Sequence, residues 1–260
     1  MPGYREKIKM TTIKFGSLGL AACVCLTLGG TAIAQDKAAD RYTYVTYSVC
    51  DLAQQERADE IFEQVQKGVF ESAVADGTIQ GYGWLKHHTG GKWRRATYFG
   101  ANSVQAVLDA QKKTGDQMDA KNKKLGDEFS KICNSHDDYI WRTVAGNVGA
   151  VARGGAAFSV YYVCDQNRED QADALVTQVF GPIYDKMVAD GKLKSWGWNE
   201  HIVGGQYRRL ATISAADVPA LMTARAAIVE VFIDNPLGKT FTEICGDHTD
   251  YMWEITSQSP

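Results

Sequence analysis

The chain contains one unit written twice, and no other feature limits its fold so strongly. Tyr47-Ser48-Val49-Cys50-Asp51 returns as Tyr161-Tyr162-Val163-Cys164-Asp165, a shift of 114. The same shift carries Val74-Ala75-Asp76-Gly77 onto Val188-Ala189-Asp190-Gly191, Gly83-Trp84 onto Gly197-Trp198, and His87 onto His201. It also carries Gly90-Gly91 onto Gly204-Gly205 and Arg94-Arg95 onto Arg208-Arg209. Further on, Leu125-Gly126, Phe129, Ile132-Cys133, His136, Asp138-Tyr139 and Trp141 recur 112 residues later as Leu237-Gly238, Phe241, Ile244-Cys245, His248, Asp250-Tyr251 and Trp253. Self-similarity of this length is the signature of a duplicated structural unit. The expected organisation is a leader over 1–34, a first unit over 35–145, a Gly- and Ala-rich linker over 146–155 and a second unit over 156–260.

Both units read alike. Tyr42 to Cys50 is rich in Tyr, Val and Thr and predicts a strand. Ala58, Ile61, Phe62, Val65, Val69 and Ala73 recur at helical spacing, with Gly77 placed as a C-terminal cap. Ile79–His88 and Trp93–Phe99 read as two strands around the Gly90-Gly91 turn. Ser103 and its counterpart Asp217 are N-cap residues for a second helix, which runs to Lys124. A shorter helix is expected over Asp127–Ile132, and a last strand over His136–Val144. The order β-α-β-β-α-β is that of a ferredoxin-like unit, with strands expected in the order 4-1-3-2.

A chain of two such units resembles the dimeric α+β barrel superfamily, with its dimer fused into one polypeptide. The expected fold is therefore α+β: two tandem ferredoxin-like units forming a pseudo-dimeric barrel over about residues 42–258. That superfamily includes stress-responsive barrel proteins, cofactor-free monooxygenases and the chlorite dismutase group. The resemblance implies a monomer, because the second chain of an ordinary barrel dimer is already present. It carries over no catalytic residue.

The start of the chain reads as an export signal. Arg5, Lys7, Lys9 and Lys14 precede an apolar stretch from Phe15 to Ala34 that ends Ala32-Ile33-Ala34, so cleavage is expected after Ala34. Alternatives are a membrane anchor, and a lipobox Leu20-Ala21-Ala22-Cys23 that would leave Cys23 lipidated. Met10 is an alternative start. The formal net charge of −3 becomes more acidic once the leader's four basic residues and Glu6 are removed. That balance gives no footprint for nucleic acid, and no membrane contact is expected beyond a lipid at the N-terminus. The mature protein is expected in the periplasm or secreted.

Four cysteines remain after the leader. In the ferredoxin-like topology the last strand lies antiparallel beside the first, and Cys50 ends the first while Cys133 just precedes the last. The expected disulfides are Cys50–Cys133 and Cys164–Cys245, in keeping with an oxidising compartment. A metal site using Cys133 and His136 is the competing reading, but paired Cys-x-x-Cys or His-x-x-x-His ligands are absent.

The residues singled out for ligand binding are His87, Arg94, Trp84 and their counterparts His201, Arg208, Trp198. Counting outward from the glycine turn sets His87 opposite Arg94 and His201 opposite Arg208, with Trp84 and Arg95 on the other face. An imidazole beside a guanidinium can hold a carboxylate or phosphate, or serve as a base; equally, it can be a structural hydrogen bond. His136 with Asp138, and His248 with Asp250, form a metal pair or proton relay in one reading and support the core in the other. No metal or cofactor is required by any motif, although haem is conceivable by analogy with the chlorite dismutase group. The functional expectation is a binding module for an unknown small molecule. A cofactor-free oxygenase or isomerase using a His–Arg pair, and an interaction protein without a pocket, are the rivals.

Overall fold

The computed structural model describes residues 41–147 and 154–259. The cleavage site after Ala34, the Cys23 lipobox and most of the linker lie outside these residues. The first half contains β1 (Tyr42–Val49) and a helical run α1 made of Gln55–Ile61, a π-turn Phe62–Gln66 and Lys67–Ala75. It continues with β2 (Gly81–Gly90), β3 (Arg95–Ala101), α2 (Val104–Ile132) and β4 (Ser135–Gly146). The second half contains β5 (Ala156–Val163) and α3, made of Glu169–Leu175, a π-turn Val176–Phe180 and Gly181–Ala189. It closes with β6 (Ser195–Val203), β7 (Arg209–Ala215), α4 (Val218–Asp234), α5 (Pro236–Ile244) and β8 (Asp247–Gln258).

The strands form one closed antiparallel barrel of order β1-β3-β2-β8-β5-β7-β6-β4. Within each half the order is 4-1-3-2, as expected, and β1–β3 and β5–β7 share one register at the shift of 114. Instead of two separate sheets, the halves join at two seams, β2 with β8 and β4 with β6. Closure removes every free edge, which is the general solution to exposed strand edges. Antiparallel pairing all round makes β1, β2, β5 and β6 point one way, so both glycine hairpins stand at the same mouth of the barrel.

Alternation along the strands sorts the side chains into two layers. Tyr47, Tyr139, Trp141, Tyr161, Tyr251 and Trp253 fill the lumen, and all are buried. Trp84, Phe99 and Tyr82 face outward beneath α1 and α2, as Trp196 and Trp198 do in the second half. The caps follow the sequence: Ser103 accepts from Ala106 N at 3.1 Å, and Asp217 from Ala220 N at 2.8 Å. Gly77 ends α1 at φ +75°.

The two helical pieces expected in this region are present in both halves. The run from Val104 to Ile132 is interrupted at non-helical Asn122 (φ −164°, ψ 81°), whose Oδ1 accepts from Leu125 N at 3.1 Å. In the second half the equivalent run breaks because Asn235 caps α5 and Pro236 has no amide hydrogen to continue α4. One local expectation needs correction. Trp93 is not in β3. It leaves the ladder so that its ring can stack on Tyr47 at 4.3 Å inside the lumen, and its Nε1 donates to Asp137 at 2.6 Å.

The disulfides Cys50–Cys133 and Cys164–Cys245 are both formed. Each ties the end of a half's first strand to the start of its last, where Asp51 N donates to Ile132 O and Asp165 N to Ile244 O, both at 2.9 Å.

Candidate functional site

The hairpin register holds where the His–Arg pairs need it. His87 N donates to Arg94 O at 3.0 Å, and His201 N to Arg208 O at 3.1 Å. Arg94 Nη1 donates to His87 Nε2 at 2.9 Å, and Arg208 Nη1 to His201 Nδ1 at 2.8 Å. Neither pair sits in its own half alone. His87 is the Cα partner of Trp253, and His201 of Trp141, across the two seams. Each imidazole meets the edges of two rings from the other half: Tyr251 and Trp253 at 6.3 Å for His87, Tyr139 and Trp141 at 6.0 and 6.1 Å for His201. Burial, then the adjacent guanidinium, lowers both histidine pKa values, so both rings are neutral acceptors.

The glycine turns beside them are filled. A Cβ on Gly204 would lie 2.3 Å from the Tyr139 ring, and one on Gly91 would lie 2.4 Å from Tyr251 Oη. The turn glycines let a tyrosine of the opposite half pack beneath the hairpin; the approach expected for a ligand is taken by that ring.

Trp84 and Trp198 hold helices onto the sheet. Trp84 Nε1 donates to Asp59 Oδ1 at 2.9 Å, and Arg95 grips the same carboxylate through Nε and Nη2 at 2.6 and 2.8 Å. Trp198 Nε1 and Arg209 repeat the arrangement on Asp173 at 2.7 to 2.8 Å. Arg95 and Arg209 are 4% and 2% exposed, so these are buried ion pairs. The acids were missed from sequence, yet Asp59 and Asp173 obey the shift of 114 and would have been found by it.

Open space lies elsewhere: a groove of about 520 Å³ between α1 and α2, lined by Val65, Gln111, Met118, Asp119 and Phe129, and a second between the second half's sheet and α4–α5. This cavity of about 240 Å³ is walled by Phe158, Tyr162, Tyr184, Ile228, Phe232 and Phe241, with Arg225 and His248 as its charged or titratable members. Arg225 lies 4.4 Å over the Phe158 ring and donates through Nη2 to Asp250 Oδ2 at 3.2 Å. Burial raises the Tyr162 phenol and pushes Tyr184 up to about 12, so both hydroxyls stay protonated. Ile233, 77% exposed, stands on the wall where an apolar molecule would enter.

The matching layer of the first half is packed with rings. Phe70 stacks on Tyr82 at 5.4 Å, Tyr44 on Phe99 at 5.4 Å and Phe62 on Trp84 at 4.4 Å. At the shift of 114, Phe99 becomes Ile213, Phe62 becomes Val176 and Gln111 becomes Arg225. A smaller side chain on the sheet, another on the first helix and a cation on the second distinguish the hollow layer from the filled one.

His248 faces this cavity with Nδ1 3.1 Å from Gly246 O and Nε2 3.6 Å from Asp250 Oδ1. In the first half, His136 Nδ1 lies 3.1 Å from Asp138 Oδ2. Among the described residues no group of three or more His, Cys, Asp or Glu side chains could hold a metal ion. A haem requires an axial side chain facing a porphyrin-wide slot. His248 is already turned to Gly246 and Asp250 through both ring nitrogens, and a cavity of about 240 Å³ is too small for a porphyrin, so these residues do not fit a haem.

No protein-family model and no curated protein matches the chain. Solved structures do match its fold. A protein assigned as a monooxygenase from Lactobacillus acidophilus shares 7% identity over 84% of this chain and 95% of that one, with a TM-score of 0.56. A second, from Fusobacterium nucleatum, shares 8% over 86% and 95%, with a TM-score of 0.58. An anthrone oxidase-like protein shares 11% over 86% and 94%, at 0.52. The likeness is one of fold: an α+β architecture around a closed eight-stranded antiparallel barrel. Among the described residues no helix is long and apolar enough to cross a membrane.

Proposed function

We propose that this chain is an exported small-molecule-binding module, built from two ferredoxin-like units over 35–145 and 156–260 joined by 146–155. The observation that carries the reading is the unequal filling of two equivalent layers. Duplication copied the scaffold, and in the second copy Ile213 and Val176 replace the rings of Phe99 and Phe62 beside a sheet–helix cavity with a cation at one end. A core collapses around unneeded space, since each unfilled Å³ costs about 24 cal/mol. Space kept beside a guanidinium, two protonated phenols and an exposed isoleucine suits a flat apolar molecule carrying one oxygen acceptor.

The His–Arg pairs then serve as seam contacts, and the disulfides brace the barrel in an oxidising compartment. The barrel is complete within one chain, so a monomer is the corresponding assembly. A mature N-terminus at Gln35, with lipidation of Cys23 as the alternative, is read from the intact mass of the exported protein.

The test is retention and titration. Small molecules carried through native purification are identified by mass spectrometry, and a flat aromatic anion such as anilinonaphthalene sulfonate is titrated by fluorescence. Saturable binding that weakens about tenfold in Arg225→Gln supports the site, since a hydrogen bond to a charged group contributes about 1.5–3 kcal/mol. Binding indifferent to Arg225→Gln and to Ile228→Trp rejects it. A cofactor-free oxygenase is the second reading, favoured by His248 on the cavity wall with Asp250 Oδ1 3.6 Å behind its Nε2. Oxygen uptake with an anthrone substrate, lost in His248→Ala, would replace binding by catalysis.

A further inference from the structure

The lumen carries a second asymmetry, independent of the helix–sheet cavity. The mouth of the barrel with the hairpins is closed by Tyr47, Trp93, Tyr161, Tyr207 and Tyr251, whose centroids lie 4.3 to 6.1 Å apart in successive contacts. Towards the opposite mouth the rings stop, and a cavity of about 120 Å³ opens between the halves. Its position follows from two broken correspondences. Tyr98 of β3 lies over Gly83, so close that a Cβ there would meet its ring at 2.3 Å. At the shift of 114 the pair is Thr212 and Gly197, and Leu85 becomes Asn199. One side of the lumen holds a phenol ring. On the other side nothing replaces it.

The walls differ in chemistry. Val45, Leu85, Leu210 and Ile255 form an apolar side. Ser159, Tyr161, Tyr47 and Trp141 form a polar side, all of them buried. Trp141 is 1% exposed and its Nε1 lacks a well-aligned partner, while the neighbouring Tyr47 phenol, pushed up by burial, stays protonated and within reach of it. Asn199 is not available: it accepts from Thr143 Oγ1 at 3.0 Å and donates to Leu210 O at 3.1 Å. An unpaired buried donor costs about 1–3 kcal/mol, so a site that keeps one facing a cavity is poised for an acceptor. Thr43, Ser159, Ser195 and Ser214 on the walls can hold water, while the apolar side offers it no partner and leaves room for a ring. The volume lies between a single water (about 30 Å³) and the apolar cavity of about 150 Å³ that accepts benzene.

We propose that this end of the lumen is a binding site for a small uncharged ring molecule with one hydroxyl or carbonyl oxygen, a phenol in the simplest case. The ring takes the place that Tyr98 fills on the other side, and the oxygen accepts from Trp141 Nε1. Thr212 and Ile213 border both cavities, but Trp141, Tyr47 and Ser159 border the lumen one alone and Arg225 the helix–sheet one alone, so variants at those residues tell the two sites apart.

The probe is 4-fluorophenol, observed by its fluorine resonance and by the indole N–H resonance of Trp141, which is assigned by its loss in Trp141→Phe. Expected are fluorine broadening and a displaced Trp141 resonance at millimolar probe. Thr212→Tyr, which copies the first half's residue into the space, should abolish both. Trp141→Phe keeps the ring and removes the donor, so probe affinity should fall about tenfold even if Thr212→Tyr does not fold. Ile228→Trp, which narrows the helix–sheet cavity and does not border the lumen one, should leave the Trp141 response unchanged. An unmoved Trp141 resonance overturns the proposal, as does equal probe affinity in wild type and Trp141→Phe; the lumen would then hold water only.

Discussion

Tyr47 and Tyr161 occupy the same place in the two halves and meet edge to face in the lumen, ring centroids 5.3 Å apart and planes at 88°. Both are buried, and each also packs against rings supplied by the other half, Tyr47 through Tyr161 and Tyr161 through Trp93 at 5.1 Å. A core shared in this way cannot be opened from one side only. Unfolding should therefore be one transition, with far-ultraviolet circular dichroism and tryptophan fluorescence superimposing in urea. Tyr161→Ala should lower the stability of the whole chain by about 3–5 kcal/mol, the usual cost of deleting a buried ring. Two separated transitions would contradict the shared lumen.

The two buried arginines make an internal control. Arg95 has Asp59 as its carboxylate partner, with neutral contacts to Gln55 and the Arg94 carbonyl. Arg209 has two carboxylates, Asp173 and Glu169. Asp59→Ala leaves a buried cation without a counter-charge, which costs about 3–5 kcal/mol. Asp173→Ala leaves Glu169 in place and should cost less. Urea midpoints of the two variants decide the order, and equal losses would show that the geometry of Glu169 contributes nothing.

For the disulfides, the sequence separations of 83 and 81 residues enclose long loops. Replacing Cys50 and Cys133 together by serine should lower stability by about 2–5 kcal/mol. Non-reducing peptide mapping of the wild type should return only the two pairs within halves.

What the repeat made readable, and what it hid, have one physical origin. Matching residues exposed the strand order, the Ser103 and Asp217 caps and the cysteine pairs, because these depend on contacts inside one unit. The seams were not readable. Which edge of one unit meets the other depends on strand edges far apart in sequence, and His87 carries no local sign that Trp253 will lie opposite. The hollow layer was hidden for the opposite reason. Recurrence marks residues such as His87 and Trp84, while the cavity arises from residues that do not recur: Ile213 for Phe99 and Arg225 for Gln111. Trp93 was read as strand because its local pattern fits one, and only the lumen explains its departure.

His87 and His201 give a pH dependence whose sign is opposite to that of a salt-bridged histidine. Both have folded pKa values below the ordinary 6.5, from burial first and the neighbouring arginine second. The unfolded chain therefore binds protons at a pH where the folded one does not. Their contribution is complete above pH 6.5 and is lost as pH falls from there through the folded values. Melting temperature should drop between neutral pH and about pH 5, and the double variant His87→Ala, His201→Ala should flatten that slope while lowering stability at pH 7. A steeper slope in the double variant would mean the imidazoles are charged in the fold.

The last prediction uses the first half as a template for the second. Phe99 and Ile213 hold equivalent positions on β3 and β7, and Phe99 is stacked between Tyr44 and Phe70 where Ile213 faces the open cavity. Ile213→Phe adds ring volume to space that is already present. Inserted bulk strains a filled core by about 1–3 kcal/mol, whereas a cavity absorbs it. The variant should match or exceed wild-type stability in urea and lose affinity for the aromatic anion about tenfold or more, without touching Arg225. The converse variant, Phe99→Ile, empties a packed layer and should cost about 2–4 kcal/mol while creating no anion site, because Gln111 stands where Arg225 does in the second half. If Ile213→Phe were as destabilising as Phe99→Ile and bound the anion as before, the second layer would be filled in solution and the site would have to lie elsewhere.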